Sequence, residues 1–77
     1  MLTIYGTEWC GDCTRAKFLL DSLDIKYDYI DIDLDEEASE YVVKVNNGYR
    51  SVPVIVFADG STLTEPSNDE LILKLGL

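Results

Sequence analysis

The spacing of apolar residues along the chain predicts three helices. Apolar residues with the i, i+3, i+4, i+7 spacing of one helix face occur in two sets. The first is Ala16, Leu19, Leu20 and Leu23, and the second is Ala38, Tyr41, Val42 and Val45. The first set predicts a helix over residues 11–23. The second predicts a helix that ends at Asn46-Asn47-Gly48, residues that tolerate the left-handed backbone of a helix C-terminus. A third helix begins at the capping box Ser67-Asn68-Asp69-Glu70 and runs to about Leu75.

Two further segments near the N-terminus have strand patterns. Residues 2–5 form a short predicted strand, which Gly6 ends. Residues 27–33 are rich in aromatic and β-branched residues, and apolar positions alternate with acidic ones as far as Leu34. This alternation predicts a strand with one solvated side.

A hairpin is predicted in the second half of the chain. The uninterrupted apolar run at residues 52–57 is typical of a strand covered on both faces. Asp59-Gly60 predicts a two-residue turn with positive φ at both positions, so that residues 61–64 return as an antiparallel strand. The resulting order, β-α-β-α-β-β-α, predicts a small α/β domain with a four-stranded mixed sheet and helices on both faces.

Length, composition and charge narrow the possible functions. The 77 residues are 47% hydrophobic and 27% charged, which indicates one globular domain over residues 1–77. Histidine is absent, which excludes Cys-His and Ser-His nucleophile pairs and histidine-ligated zinc. A formal net charge of −9 disfavours nucleic acid and anionic membrane surfaces as partners.

The opening residues and the two cysteines predict a cytoplasmic protein. The first six residues have neither the basic start nor the apolar run of a signal peptide. No segment approaches the roughly 18 apolar residues of a membrane span. Cys10 and Cys13 are too close in sequence to staple distant parts of a secreted fold, so we expect a reducing compartment.

Cys10 and Cys13 lie where the first strand and its loop lead into the first helix. Backbone N–H groups of the first helical turn point at the Cys10 sulfur, and the helix dipole favours negative charge there. We therefore expect a reactive thiolate at Cys10. Cys13 lies one turn later on the same face and can displace a product held on Cys10. Gly11 allows a substrate backbone to approach closely, and Trp9 shields one side of the site.

Three other interpretations of the cysteine pair are open. The two side chains can be small buried hydrophobes, a static disulfide, or half of a zinc or iron–sulfur site. A single chain has no His and no further Cys to complete such a metal site. The position after a strand, at a helix start and within a βαβ pattern favours the redox interpretation.

Pro53 stands at the head of the apolar third strand. Because proline has no N–H to donate, it is unusual in a central strand. A cis bond between Val52 and Pro53 would turn the preceding backbone outward, and the Val52 amide and carbonyl would be free to pair with an extended substrate. The alternative is an ordinary trans proline at the strand entry.

Three motifs span nearly the whole chain: Trp9-Cys10-Gly11-x-Cys13, Asn46-x-Gly48-x-Arg50-x-Val52-Pro53, and Phe57-Ala58-Asp59-Gly60-Ser61-x-Leu63-Thr64-x-Pro66-Ser67-x-Asp69-Glu70. With these motifs the chain resembles the glutaredoxins of the thioredoxin-fold superfamily, and in particular their actinobacterial branch, the mycoredoxins. The first motif is widespread in the superfamily, whereas the last is more specific to mycoredoxin-like sequences. The resemblance implies a thioredoxin-like fold, a cis Pro53, Cys10 as nucleophile and Cys13 as resolving thiol. It also implies a low-molecular-weight thiol bound along Val52-Pro53.

The segment before the last helix bears on which thiol is bound. Glutaredoxins that bind glutathione often have Gly-Gly, a small residue and Asp there, whereas this chain has Glu65-Pro66-Ser67-Asn68. The departure leaves room for another thiol, and the resemblance points to mycothiol. The N–H groups of Ser67 and Asn68 are candidates to receive a carboxylate or hydroxyl of the substrate.

Charged residues near the motif have two interpretations each. Asp12 opposes the effect of the helix dipole on Cys10, and it is either a specificity residue or an acid that starts the helix. Arg50 is either a bidentate partner for a substrate carboxylate or a solvated loop residue. Residues 28–40 contain seven acids and no Lys or Arg, which indicates a solvated edge or a docking surface for a basic protein.

These observations predict a thiol–disulfide oxidoreductase that removes a small thiol from protein mixed disulfides without a metal or organic cofactor. The co-substrate would be mycothiol or glutathione, a thioredoxin or mycothione reductase would be a further partner, and the protein would be a monomer. One alternative is a protein-disulfide reductant fed by thioredoxin reductase, although the Trp-Ser-Gly-Phe-Arg-Pro-like stretch of such redoxins is missing. Another is a metal or iron–sulfur-binding module that uses the same cysteines.

Overall fold

The computed structural model describes all residues, 1–77, and contains four strands and three helices. In chain order these are β1 (Leu2–Gly6), α1 (Gly11–Ser22), β2 (Tyr27–Asp31), α2 (Glu36–Val45), β3 (Val54–Val56), β4 (Thr62–Thr64) and α3 (Asn68–Leu75). The predicted order of elements is confirmed. None of the helices has the length and apolar character needed to cross a membrane.

The four strands form one mixed sheet in the order β2-β1-β3-β4. β1 is parallel to β2, whereas β3 is antiparallel to both β1 and β4. The central pair is β1 and β3, in which Ile4 lies opposite Ile55 and both side chains are fully buried. Because β1 is central, the loop that follows it emerges at the middle of the sheet edge, and this loop leads to Cys10.

Helices cover both faces of the sheet, as predicted. α1 and α3 pack on one face, where the buried cluster consists of Leu2, Ile4, Ala16, Leu20, Ile55, Phe57 and Leu71. α2 packs on the other face through Ala38 and Val42, and both cysteines belong to the cluster on this side. The cysteine pair is therefore anchored in the hydrophobic core.

Local hydrogen bonds fix the ends of α2 and α3. The Asp35 carboxylate caps the start of α2, and Ser67 and Glu70 form the predicted capping box at the start of α3. After α2, Asn47 and Gly48 have positive φ values of 57° and 103°, so the predicted left-handed helix end is confirmed.

β2 is shorter than its alternating pattern predicts. The strand ends at Asp31, and a turn follows in which the Leu34 N–H bonds to the Asp31 carbonyl. Ile32 is still buried, but Leu34 is 85% exposed, because the turn breaks the two-residue alternation before that position.

The β3–β4 connection also differs from the prediction. The Phe57 N–H bonds to the Ser61 carbonyl, which leaves a three-residue loop. Only Gly60 has a positive φ, 87°, so the predicted two-residue turn with positive φ at both positions is wrong. The Asp59 carboxylate instead accepts hydrogen bonds from the Ser61 N–H and hydroxyl, an arrangement that fits a longer loop ending in a left-handed glycine.

Candidate active site

Cys10 occupies the N-cap position of α1 and hydrogen-bonds as a cap. Its backbone is extended, with φ −88° and ψ 115°, and its sulfur accepts a hydrogen bond from the Cys13 N–H at 3.1 Å. The donor is one of the helix N–H groups that have no partner within the helix. An N–H at this end of the helix dipole stabilises a negative sulfur, so the geometry supports the predicted role of Cys10 as nucleophile.

The Cys10 sulfur is more covered than the sequence predicts. Cys10 is 9% exposed and Cys13 is 0% exposed. Part of the cover is Val52, whose carbonyl oxygen lies 3.8 Å from the Cys10 sulfur. Both cysteines are free thiols. Of the two thiols, only Cys10 keeps any access to solvent, so Cys10 is the more accessible one.

Cys13 is held in its protonated form. Burial raises the pKa of the Cys13 thiol to about 12, and the neighbouring Cys10 sulfur acts in the same direction. The Thr7 backbone and the Tyr29 hydroxyl lower that pKa and oppose the effect of burial. The two sulfurs therefore have different environments. The Cys10 sulfur caps the N-terminus of α1, where negative charge is favoured, whereas the Cys13 thiol is buried in the core and neutral. That difference suits a nucleophile followed by a resolving thiol.

The backbone at Val52 and Pro53 lies next to the Cys10 sulfur. The Val52–Pro53 peptide bond is cis, as predicted. The Val52 N–H and C=O make no backbone hydrogen bond within the chain, whereas the buried Pro53 accepts one from the Glu65 N–H at 2.8 Å. The hydrogen-bonding groups of Val52 are therefore not used by a neighbouring strand.

Polar contacts join the loop before Cys10 to the segment before Pro53. Trp9 is 72% exposed, and its Nε1 donates to one oxygen of the Asp33 carboxylate at 2.8 Å. The other oxygen accepts from the Arg50 guanidinium, which also donates to the Ser39 hydroxyl at 3.1 Å. Hydrogen bonds from Arg50 and then Trp9 lower the pKa of Asp33. Arg50 is therefore paired with a carboxylate of its own chain.

The residues predicted at the start of α3 are also engaged within the fold. The Ser67 N–H donates to the Glu70 carboxylate at 3.0 Å, so this amide is already paired within the chain, and its contact with a substrate stays a prediction. The side-chain oxygen of Asn68 accepts from Arg15 at 2.8 Å. Arg15 also pairs with Asp12, at 3.4 Å, and the predicted roles of Asp12 in specificity and at the helix start both stay predictions.

Three residues of this site are not indicated by the sequence patterns. Asp33 falls within the acidic segment interpreted as a solvated edge or a docking surface, although it follows a strand next to the one that carries the cysteine loop. Tyr29 lies on β2, and its hydroxyl donates to the Thr7 carbonyl at 2.8 Å. Thr7 is 1% exposed, and its own hydroxyl has no hydrogen-bond partner. No sequence signal distinguishes Tyr29 and Thr7 from ordinary core residues.

The fold brings no further metal-ligating side chains next to Cys10 and Cys13. The chain has no group of three or more Cys, Asp or Glu side chains arranged to hold a metal ion. Cys10 and Cys13 would supply two ligands, and a second chain or a small molecule would have to supply the others. This alternative stays a prediction.

Comparison with known proteins assigns the chain to a family. The glutaredoxin family model matches residues 2–62, which include the cysteine motif, Pro53 and β3. The chain belongs to the glutaredoxin family. A Mycobacterium tuberculosis protein that is also named a glutaredoxin is 54% identical to this one over 74 residues, covering 96% of this chain and 88% of the relative. Mycoredoxin 1 of Corynebacterium glutamicum is 47% identical over 75 residues, covering 96% of this chain and 91% of the relative.

Solved structures agree with a thioredoxin-like fold. The glutaredoxin of Archaeoglobus fulgidus superimposes on this glutaredoxin with a TM-score of 0.76 and 27% identity, covering 96% of this chain and 84% of that one. NrdH-redoxin of Escherichia coli, a glutaredoxin-like protein with a thioredoxin-like activity profile, gives a TM-score of 0.79 and 26% identity, covering 96% and 92%. This glutaredoxin is a thiol–disulfide oxidoreductase, and the predicted family, fold and reaction class are confirmed.

Proposed function

We propose that this glutaredoxin reduces mixed disulfides between proteins and mycothiol, with Cys10 as the nucleophile. The proposal rests chiefly on one observation: both arginines near the cysteine motif are paired with carboxylates of the chain itself, Arg50 with Asp33 and Arg15 with Asp12. The 47% identity to Mycoredoxin 1 supports the same assignment.

The reaction proceeds by two thiol–disulfide exchanges. The Cys10 thiolate attacks the mycothiol sulfur of the mixed disulfide, and the protein thiolate leaves with the electron pair and takes up a proton. A second mycothiol thiolate then attacks the mycothiol sulfur bound to Cys10. This step releases the Cys10 thiolate and forms mycothiol disulfide, which a mycothione reductase would reduce. In a second route Cys13 displaces mycothiol and forms the Cys10–Cys13 disulfide.

The charges near the site favour a neutral thiol. Glutathione and bacillithiol carry carboxylates, whereas mycothiol is an uncharged sugar conjugate. Carboxylates are bound by free arginines or by unpaired backbone N–H groups. Here Arg15 and Arg50 are already paired, the Ser67 N–H is donated to Glu70, and the net charge of −9 repels anions. A neutral, hydroxyl-rich thiol avoids this repulsion and can pair with the backbone of Val52.

The test compares three mixed disulfides of one carrier protein, made with mycothiol, glutathione and bacillithiol. We expect kcat/KM to be about tenfold higher for the mycothiol adduct, a difference of about 1.4 kcal/mol, because the carboxylates of the other two thiols meet no free cation and are repelled by the acidic chain. Asp33→Asn is the matched variant, because it leaves Arg50 with an uncompensated charge. It should raise kcat/KM for the glutathione adduct and change the value for the mycothiol adduct little. Equal kcat/KM values for the three wild-type reactions would contradict the proposal.

Cys13→Ser separates this function from that of a reductant fed by thioredoxin reductase. The variant should keep its activity on mixed disulfides, which needs only Cys10, and lose its activity on protein disulfides, which needs both thiols. A variant that is inactive on every small-thiol adduct would exclude the proposed route. Rapid reduction of the oxidised wild type by thioredoxin reductase, with slow reduction by mycothiol, would favour the alternative donor. The proposed reaction needs a compartment that keeps small thiols reduced, as the cytoplasm does.

A further inference from the structure

We infer that Tyr29 is a positioning residue for the resolving step, in which Cys13 displaces a small thiol from Cys10. The inference rests on the proposed function, because it concerns the second, dithiol route of that reaction. Its basis is the space that Gly6, Tyr29 and Cys13 share at the end of β1.

The absence of a side chain at Gly6 is what brings Tyr29 and Cys13 together. A Cβ atom built on Gly6 would lie 2.5 Å from the Tyr29 hydroxyl oxygen and 2.8 Å from the Cys13 sulfur. Both distances are far shorter than an ordinary contact, so any larger residue at position 6 would have to displace one of the two groups. The hydroxyl and the sulfur therefore both lie against the backbone of Gly6.

The Tyr29 hydroxyl has one proton to donate and two acceptors next to it. In the reduced protein it donates to the Thr7 carbonyl at 2.8 Å, while the Cys13 sulfur keeps its own proton. When Cys13 loses that proton, rotation of the hydroxyl directs the Tyr29 proton to the sulfur. The Thr7 backbone also lowers the pKa of Cys13, so it favours the buried thiolate in the same direction as the Tyr29 hydroxyl.

The other groups that face this pair do not supply such a donor. Burial and the neighbouring Cys10 both disfavour a charged Cys13. The Lys17 ammonium lies 4.0 Å from the centroid of the Tyr29 ring and is engaged with the ring face. Burial raises the pKa of Tyr29, and Cys13, Cys10 and Asp31 raise it further. The hydroxyl therefore keeps its proton and acts as a hydrogen-bond donor and not as a base.

The step balances without any further reagent. Cys13 gives up its proton, and its thiolate attacks the Cys10 sulfur of the Cys10–S–S–R adduct. The bond between Cys10 and the small thiol breaks, and the departing thiolate takes the electron pair and a proton. The products are the Cys10–Cys13 disulfide and R–SH, while Tyr29 ends the step with its proton in place.

The experiment follows resolution of one defined adduct. Reduced protein is mixed with 2-hydroxyethyl disulfide, which places 2-mercaptoethanol on Cys10, and samples are quenched in acid for intact-mass spectrometry. Conversion of the adduct to the internal disulfide gives the resolution rate as a function of pH. We expect Tyr29→Phe to slow resolution about tenfold at pH 7 and to displace the pH profile to higher pH, because one hydrogen bond to the thiolate is lost.

Tyr27→Phe is the matched control. Tyr27 lies on the same strand, but its hydroxyl bonds to Asp21 at 2.9 Å, away from the cysteines. This variant should resolve the adduct at the wild-type rate. A Tyr29→Phe protein with the wild-type rate and pH profile would overturn the inference, and so would equal slowing in both variants.

A second substitution covers the case in which Tyr29→Phe does not fold. Tyr29→3-fluorotyrosine keeps the ring size and the hydroxyl but makes the hydroxyl a stronger donor, so resolution should become faster. An unchanged rate would overturn the inference. A wild type that never forms the adduct would overturn the proposed function and this inference with it. A normal adduct with normal resolution in the Tyr29 variants would overturn the inference alone.

Discussion

Raising the pH should weaken the reduced protein through the Cys13 thiol. The pKa of Cys13 is about 12 in the folded chain, whereas a free thiol has a pKa of roughly 8.5. Below the free value, both folded and unfolded chains are protonated at this site and stability is at its full value. Above it, the unfolded chain releases the proton and the folded chain does not, so stability falls with rising pH until the folded pKa is reached. Between pH 7 and pH 10.5 this single group should cost about 2 to 3 kcal/mol of unfolding free energy.

Urea denaturation followed by far-UV circular dichroism measures this loss directly. The reduced wild type and Cys13→Ala are unfolded at pH 7 and at pH 10.5 in the presence of a phosphine reductant. With an m-value of about 1 kcal/mol/M for so small a protein, the wild-type midpoint should fall by roughly 2 M more than that of the variant. Burial also raises the pKa values of Tyr5, Tyr27 and Tyr29, and because these residues are present in both proteins this effect of burial cancels. Cys13 itself raises the pKa of Tyr29 further, and this part adds to the loss expected for the wild type alone.

Cys13→Ala will start from a lower stability at pH 7, because it leaves a small cavity in the core. Only the difference in pH dependence tests the reasoning. If the two proteins lose the same unfolding free energy between the two pH values, Cys13 is not a buried neutral thiol and the reasoning is refuted.

Three further substitutions test the fold and the polar contacts of the site. Leu71→Ala removes a fully buried side chain by which α3 packs on the sheet, and it should cost about 2–5 kcal/mol in urea unfolding; a loss as small as that of a surface residue would contradict the packing. Ser67→Ala removes the cap of α3 and should cost about 1 kcal/mol in the same assay, with an unchanged midpoint as the contrary result. Asp33→Ala removes the acceptor of the Trp9 indole, so the fluorescence anisotropy of this single tryptophan should fall, whereas an unchanged anisotropy would show that Asp33 does not hold the ring.

The parts of the fold that follow from local interactions could be predicted from the sequence. Helix faces, the Ser67–Glu70 capping box and the helix end at Asn47 depend on residues within one or two turns of each other. The sequence pair Asp59-Gly60 is compatible with both a two-residue turn and a three-residue loop, so the pair alone does not predict the loop length. The chain adopts the three-residue loop, in which Ser61 hydrogen-bonds to the Asp59 carboxylate.

The contacts that define the site could not be predicted in the same way. Arg50 bonds to Asp33 and Arg15 to Asn68, partners that only the sheet order and the packing of α3 bring together. Neither partner is singled out by composition, since acids and amides are common throughout the chain. The contact between Tyr29 and Cys13 depends on the parallel register of β1 with β2 and on the missing side chain at Gly6.

The central claim is that Cys10, at the N-cap of α1, is the reactive thiol and that Cys13 is buried and protonated. Limited alkylation of the reduced protein with iodoacetamide at pH 7, followed by fragmentation of the peptide that contains both cysteines, tests this most directly. The account predicts that the label accumulates on Cys10 well before any appears on Cys13. Labelling of Cys13 first, or of both thiols at the same rate, would contradict it.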